Sequence, residues 1–316
     1  MKPLKLVILG GTGFVGSHLV ARLQRDGHTI SVLSRNREKH REAGVLPRVG
    51  VVSIDVYDRA ALARQLAGAD AAINLVGILN ERGSDGSGFR KAHVELTSTL
   101  LAACADAGVP RLLQMSALRA GEGDSHYLKT RGEAEALVKA AALAWTIFRP
   151  SVIFGAGDGL FFRFAQLLRM TPVLPLARAH AQFTPVYVGD VGEAFARALA
   201  HPHSAGHIYE LFGPRRIELG ELVRWTARML GQRRLIIGLP DALGAVQARV
   251  GEWLPGKPIS RDNFRSLQLD SIGSEDGLAA LGIVSTPMEV IVPALLRGEN
   301  GPQRGFDRYR RSYRNR

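Results

Sequence analysis

The stretch Gly10-Gly11-Thr12-Gly13-Phe14-Val15-Gly16 follows the apolar run Leu6-Val7-Ile8-Leu9 and opens a helical pattern. It fits G-x-G-x-x-G from Gly11 and G-x-x-G-x-x-G from Gly10, in the strand-then-helix setting that gives such a pattern meaning. The first glycines permit a tight turn, Gly13 lets backbone N–H groups approach a pyrophosphate, and Gly16 allows close packing of helix on strand. An anion held there meets unpaired N–H groups and the positive end of the helix dipole. The plain alternative is a glycine-rich turn with no ligand.

The end of the second strand should choose between dinucleotides, because an acid about 20 residues past the glycines pairs with the ribose 2′-hydroxyl of NAD(H). Leu33-Ser34-Arg35-Asn36-Arg37-Glu38-Lys39 puts no acid at the strand end. Ser34 and Arg35 are placed instead to hold a 2′-phosphate, which predicts NADP(H) over NAD(H). The alternative is that Arg35 only stacks on adenine. Asp55-Val56, ending the third strand, is the natural neighbour of the adenine amine, and small residues at Leu75-Val76-Gly77 let backbone run along the cofactor.

Ser116 ends the fifth strand and Tyr127 opens the next helix, where a dehydrogenase of this architecture carries its acid/base pair. A lysine is expected four residues after the tyrosine, on the same helix face, to depress the phenol pKa and bind the nicotinamide ribose. That position is Arg131. Lys129 lies only two residues on, roughly 200° around the helix, and cannot take over the role. An arginine keeps the positive field and can bond a ribose hydroxyl, yet it cannot relay a proton. Catalysis through Tyr127 is therefore weakened, and the tyrosine is expected to serve in binding. His93 reads as a satisfied helical histidine, with a catalytic role as the alternative. His201, His203 and His207 have no nearby carboxylate cluster, so no metal site is expected. The stripe Phe161, Phe162, Phe164, Leu167 and Leu168 reads as a core helix, or as an entry for an isoprenoid tail.

Positioning these groups requires a sheet whose strands all end at one edge. Short β-branched runs alternate with longer helical segments through the first half, the pattern of repeated βαβ units. Strands are predicted at residues 6–9, 29–33, 49–54, 71–76, 112–115 and 145–148, with helices over 14–26, 59–66, 89–107 and 127–142. This is an α/β chain with a Rossmann-type doubly wound parallel sheet over 1–150. A smaller, mainly helical part follows over 151–296, interleaved with the first, and a basic tail covers 297–316. Glu81 to Gly88 reads as a flexible loop.

The 316 residues are 46% apolar and 22% charged, with 35 Gly, 15 Pro and one Cys, which is material for a packed globule without disorder. At this length about three quarters of the unfolded surface is buried on folding, so no disulfide or metal staple is needed. The lone Cys104 reads as core and excludes a Cys-based zinc site. The N-terminus reads as a mature cytoplasmic start, and no apolar run reaches the ~18 to 20 residues of a membrane span. The net charge of +12 comes from 34 arginines and seven lysines, a bias that genome composition can produce. From Arg297 to Arg316 seven arginines face Glu299 and Asp307, so the tail is either an interaction arm for a partner or anionic membrane surface, or a solvated end. No recognised nucleic-acid motif accompanies the charge, and a nucleic-acid partner is not expected.

The glycine pattern, Ser116, Tyr127 and Arg149-Pro150-Ser151-Val152-Ile153-Phe154-Gly155 resemble the extended and atypical short-chain dehydrogenase/reductases, the NAD-dependent epimerase/dehydratase superfamily. Three further stretches, 182–191, 239–243 and 254–263 (Leu254-Pro255-Gly256-Lys257-Pro258-Ile259-Ser260-Arg261-Asp262-Asn263), resemble bacterial relatives of the complex I alpha-subcomplex subunit nine. The resemblance extends to about residue 296. It implies tightly held NADPH, a cofactor contact at Pro150, and a structural or assembly role beside respiratory or quinone-biosynthesis proteins. That family usually has a lysine at the position of Arg131, so the departure touches turnover and leaves nucleotide binding intact. The reading expected is an NADP(H)-binding accessory protein, peripheral on the inner face of a membrane. The alternatives are an active NADPH-dependent oxidoreductase on a quinone precursor or other carbonyl, and a soluble NADPH sensor.

Overall fold

The computed structural model describes residues 2–36, 46–254, 257 and 259–297. Arg37, Glu38, Lys39, Pro255, Gly256, Pro258 and the tail from 298 lie outside the described residues. The first half runs β1 (Lys5–Leu9), α1 (Phe14–Arg25), β2 (Thr29–Ser34), β3 (Val49–Ser53), α2 (Arg59–Leu66), β4 (Ala71–Asn74), α3 (Ser87–Arg90), α4 (Leu96–Ala107), β5 (Arg111–Met115), α5 (His126–Ala140) and β6 (Ala144–Pro150). The second runs β7 (Ile153–Phe154), α6 (Phe161–Met170), β8 (Val173–Ala177), β9 (Gln182–Phe183), β10 (Val186–Tyr187), α7 (Val188–Ala200), β11 (His207–Leu211), β12 (Ile217–Glu218), α8 (Leu219–Met229), β13 (Leu235–Leu239), α9 (Asp241–Gly251), α10 (Arg261–Ser266), α11 (Gly277–Ala280) and α12 (Met288–Arg297).

Seven parallel strands form the main sheet in the order β11-β6-β5-β4-β1-β2-β3. The pleat sorts the β1 side chains. Leu6 and Ile8 point to the face covered by α1 and α7, with Leu19, Leu23, Val191 and Phe195. Val7 and Leu9 point to the face covered by α2, α4 and α5, with Leu62, Leu100 and Val138. Both faces are therefore dry, as a parallel sheet requires, and each fully buried aliphatic side chain is worth roughly 1.5–3 kcal/mol. Cys104 is buried in the second of these cores.

Two features were not anticipated. A seventh strand, β11, comes from the second half and pairs with β6, so that half returns a strand to the main sheet and α7 to its face. The long helix predicted over 89–107 starts at Ser87 and contains a π turn, Lys91–Glu95, between α3 and α4. The rest of the second half packs around three further cores, one joining α6, α8 and α12, one lying under β8 and β13, and a small one of Ala177, Ala248 and Phe264 joining β8, α9 and α10. No helix among the described residues is long and apolar enough to cross a membrane.

Candidate functional site

The strand order reverses between β1 and β4, and ligands of open α/β sheets bind in the crevice at such a point. The glycine turn lies there. Gly10 has φ +77°, and a Cβ on it would sit 3.1 Å from the Leu75 carbonyl carbon and the Val76 nitrogen. A Cβ on Gly16 would overlap the backbone of Gly10 and Gly11. These glycines serve the fold itself.

Gly13 is different, with an ordinary φ of −78° and only the Gly10 oxygen, at 3.3 Å, near its missing Cβ. A Cβ there would press on that oxygen, and no other described atom lies near, so a side chain would reach into the mouth of the crevice. Gly13 is also the N-cap of α1, with no side-chain cap and no acid in the first turn. That arrangement leaves the helix terminus open to an anion. Thr12 is half-buried beside it, Phe14 stacks edge-on to His18, and Val15 packs into the first core.

Along the crevice, Ser34 is buried at the end of β2 and its hydroxyl accepts from the Asn36 N–H at 3.3 Å, while Arg35 is exposed. Asp55 is exposed, and its carboxylate accepts from the Tyr57 N–H at 3.0 Å. Val56, Leu75 and Val76 turn their side chains into the cores, so these positions offer main chain to a ligand. Pro150 is buried at the end of β6, and its carbonyl accepts from the Leu118 N–H.

Arg131 is buried on α5 and donates Nη1–H to the Met115 carbonyl at 3.0 Å and the Val76 carbonyl at 3.3 Å. Its Nη2 fills the place a Cβ on Gly77 would take. Its guanidinium carbon lies 5.5 Å from the centre of the Tyr127 ring, and its buried Nε–H has no partner among the described residues. Tyr127 is half-buried against Phe89 and His93, and no described residue hydrogen-bonds its hydroxyl.

His93 sits in the π turn, a distortion frequent at functional sites. Its Nε2 accepts from the Ile78 N–H at 3.4 Å, which makes Nδ1–H the donor to Thr130 Oγ1 at 2.8 Å. Thr130 passes its own proton to the His126 carbonyl. Burial first, and the Arg131 cation second, push the imidazole down to about 2, so it is neutral and spent on structure.

Ser116 is not turned toward Tyr127. It is buried, and its hydroxyl donates at 2.6 Å to Glu135, a carboxylate that also takes two bonds from Arg149 at 2.8 and 2.6 Å. The sequence reading missed Glu135, which looks like one more helical charge until α5 packs beside β6. It also missed Asp262, whose buried carboxylate accepts from the His126 N–H at 2.6 Å and the Tyr127 N–H at 3.1 Å. With Ser125 accepting from Leu128, the first turn of the tyrosine helix is held by α10.

The Glu81–Gly88 segment, expected to be flexible, is pinned. Glu81 is buried and accepts from the Gly86 and Gly88 N–H groups, and Lys257 Nζ donates to the carbonyls of Glu81, Arg82 and Gly83. Among the described residues no cluster of His, Cys, Asp or Glu is arranged for a metal.

The glycine turn, the open helix terminus and the orphaned Arg131 Nε–H fit a dinucleotide lying across the crevice. An NAD(P)H-binding family matches residues 10–159. The mitochondrial NADH-ubiquinone oxidoreductase 40 kDa subunit of Neurospora crassa is 25% identical over 240 residues, covering 75% of this chain and 63% of that protein. This chain thus spans less than two thirds of that relative. The ceramide reductase of Caulobacter vibrioides is 30% identical over 239 residues, covering 75% of this chain and 74% of that one. Among solved structures, dTDP-glucose 4,6-dehydratase DesIV from Streptomyces venezuelae, with NAD and TYD bound, superposes with a TM-score of 0.75 at 23% identity, covering 93% and 96% of the two chains. That likeness is one of fold.

Proposed function

Because the chain belongs to the NAD(P)H-binding short-chain dehydrogenase/reductase superfamily, in its epimerase/dehydratase branch, we propose that it holds NADP(H) as an accessory or assembly factor of quinone-dependent membrane machinery. In this reading it is peripheral on the inner face of the membrane. The observation that carries it is that Ser116, one of the acid/base pair, is engaged elsewhere, its proton going to Glu135, while Arg131 in the lysine position is bonded to the Val76 and Met115 carbonyls. The Neurospora relative, named as a subunit of an NADH-ubiquinone oxidoreductase, supports the partner class.

The Gly13 turn would take the pyrophosphate, Ser34 and Arg35 the 2′-phosphate, and Asp55 and Val56 the adenine. Leu75 to Gly77, Pro150, Tyr127 and Arg131 would border the nicotinamide end. Bound nicotinamide can give or accept a hydride; this chain's residues bind and orient it. The preference for NADP(H) rests on Arg35 at the end of β2, whose guanidinium matches a phosphate.

Titrating the protein with NADPH and NADH tests this reading. Arg35→Ala should weaken NADPH about tenfold and leave NADH unchanged, the loss of one charge-assisted contact. Gly13→Val should abolish both while leaving the unfolding transition in place. Equal affinity for the two nucleotides, unmoved by Arg35→Ala, would refute the preference.

A second reading, an active reductase of a lipid-borne carbonyl, is favoured by the unengaged hydroxyl of Tyr127, whose ring lies under the Arg131 cation, and by the name of the Caulobacter relative.

A further inference from the structure

Among the described residues, an apolar face outside the main sheet stays exposed. β8 and β13 pair in parallel, with Val173 opposite Leu235 and Pro175 opposite Ile237. The alternate residues Leu174, Ile236 and Leu176 go to the core, so the outward face of this two-stranded ribbon carries Val173, Leu235 and Ile237, each 41–59% exposed.

Helix α9 lies along the other edge of β8, where the Gln247 side chain bonds the Ala177 N–H and the Pro175 carbonyl. Gly244, Ala248 and Gly251 make its buried side. Leu243, Val246 and Val250 fall within roughly 100° of Gln247 on the solvent side, an exposed stripe beside the ribbon. Trp253 continues it, 87% exposed.

Arg233, two residues before Leu235, and Arg249, next to Val250 on α9, are exposed and have no ion pair among the described residues. The nearby Asp241 and Glu252 are already paired, with Arg178 and Arg261. An aliphatic stripe, an exposed tryptophan and unpaired arginines together make the chemistry of a side chain set that enters the headgroup layer of an anionic bilayer.

We propose that the β8–β13 ribbon and α9 form a docking face for an anionic phospholipid surface. The proposal rests on the peripheral-membrane part of the reading above and adds the face that makes the contact, distinct from the basic tail. The Trp253 end adjoins the crevice. Lys257 N–H bonds the Leu254 carbonyl, Asn80 Nδ2 the Lys257 carbonyl, and Asn263 Nδ2 the carbonyl of exposed Leu79 after β4. Docking in this pose brings that rim of the nucleotide crevice to the lipid.

The test mixes the full chain with vesicles of phosphatidylcholine alone or with about one third phosphatidylglycerol, some carrying brominated acyl chains. Trp253→Phe isolates the signal of Trp253 from those of Trp145 and Trp225. The expected result is binding to the anionic vesicles only, with quenching confined to Trp253, and a bound fraction that falls at least about tenfold when Val246→Asp and Val250→Asp are combined. Binding that survives the double variant with Trp253 unquenched would overturn the proposal and leave the tail as the contact. Absence of binding, with a concentration-dependent dimer that shields Trp253, would overturn it in favour of a second copy of the chain. NADPH affinity of the same proteins separates the two ideas. Normal affinity without vesicle binding defeats the docking face alone, and absent affinity defeats the nucleotide reading alone.

Discussion

His93 should make the stability of this fold fall in mild acid by a calculable amount. The imidazole is buried, its Nε2 faces the Ile78 N–H, and the Arg131 cation is close, so the fold holds its pKa at about 2. In the unfolded chain the ordinary value of about 6.5 returns. Below that pH the unfolded state takes up a proton that the fold refuses, so stability drops as pH falls, by about 1.4 kcal/mol per unit. Between pH 8 and pH 5 the loss from this one group is about 2 kcal/mol. His93→Gln keeps an acceptor for Ile78 and a donor for Thr130 but cannot titrate. Urea unfolding of both proteins across that range should show the native chain losing about 2 kcal/mol more than the variant. His28, also lowered by burial, contributes equally to both and cancels. Parallel curves, within about 0.5 kcal/mol, would mean that His93 accepts a proton in the folded state, and would refute the claim that it is a neutral structural group.

Glu135→Ala strands the Arg149 guanidinium and the Ser116 hydroxyl. Because Arg149 is partly solvated, the cost should be about 2–4 kcal/mol, below the full penalty for a broken buried pair, and a double-mutant cycle with Arg149→Met should recover part of it. Asp262→Ala unpairs two N–H groups at the start of α5 and should cost about 2–4 kcal/mol in thermal unfolding, with Asp262→Asn costing less. A cost under about 0.5 kcal/mol for Asp262→Ala would mean that water replaces the carboxylate.

The main sheet was readable because β1 to β6 are apolar runs punctuated by glycines and separated by helical periods, all local signals. β11 was not, because His207-Ile208-Tyr209-Glu210-Leu211 is an edge strand with only Leu211 fully buried, and only its pairing with β6 makes it a strand. β8 hides behind Pro175, which argues against a strand interior. In the crevice, the tight turn at Gly10 and the close packing at Gly16 followed from spacing, since a turn is a local object. The partners of Ser116 and Tyr127 did not. Glu135 lies 19 residues from Ser116, and Asp262 lies 135 from Tyr127, so both looked like surface charge until the chain closed on itself. Arg131 was singled out by its position, but its fit over Gly77 and its bonds to two strand ends belong to the packed structure.

Under the function proposed above, this chain holds a nicotinamide nucleotide without consuming it. The most direct measurement loads the protein with NADPH and follows the reduced-nicotinamide signal while short-chain quinones, aromatic carbonyl compounds and a keto-lipid are added in turn, with Tyr127→Phe in parallel. A signal that stays constant across the panel in both proteins is the predicted result. Oxidation of the bound nucleotide that disappears in Tyr127→Phe would contradict the account and establish a reductase working with Arg131.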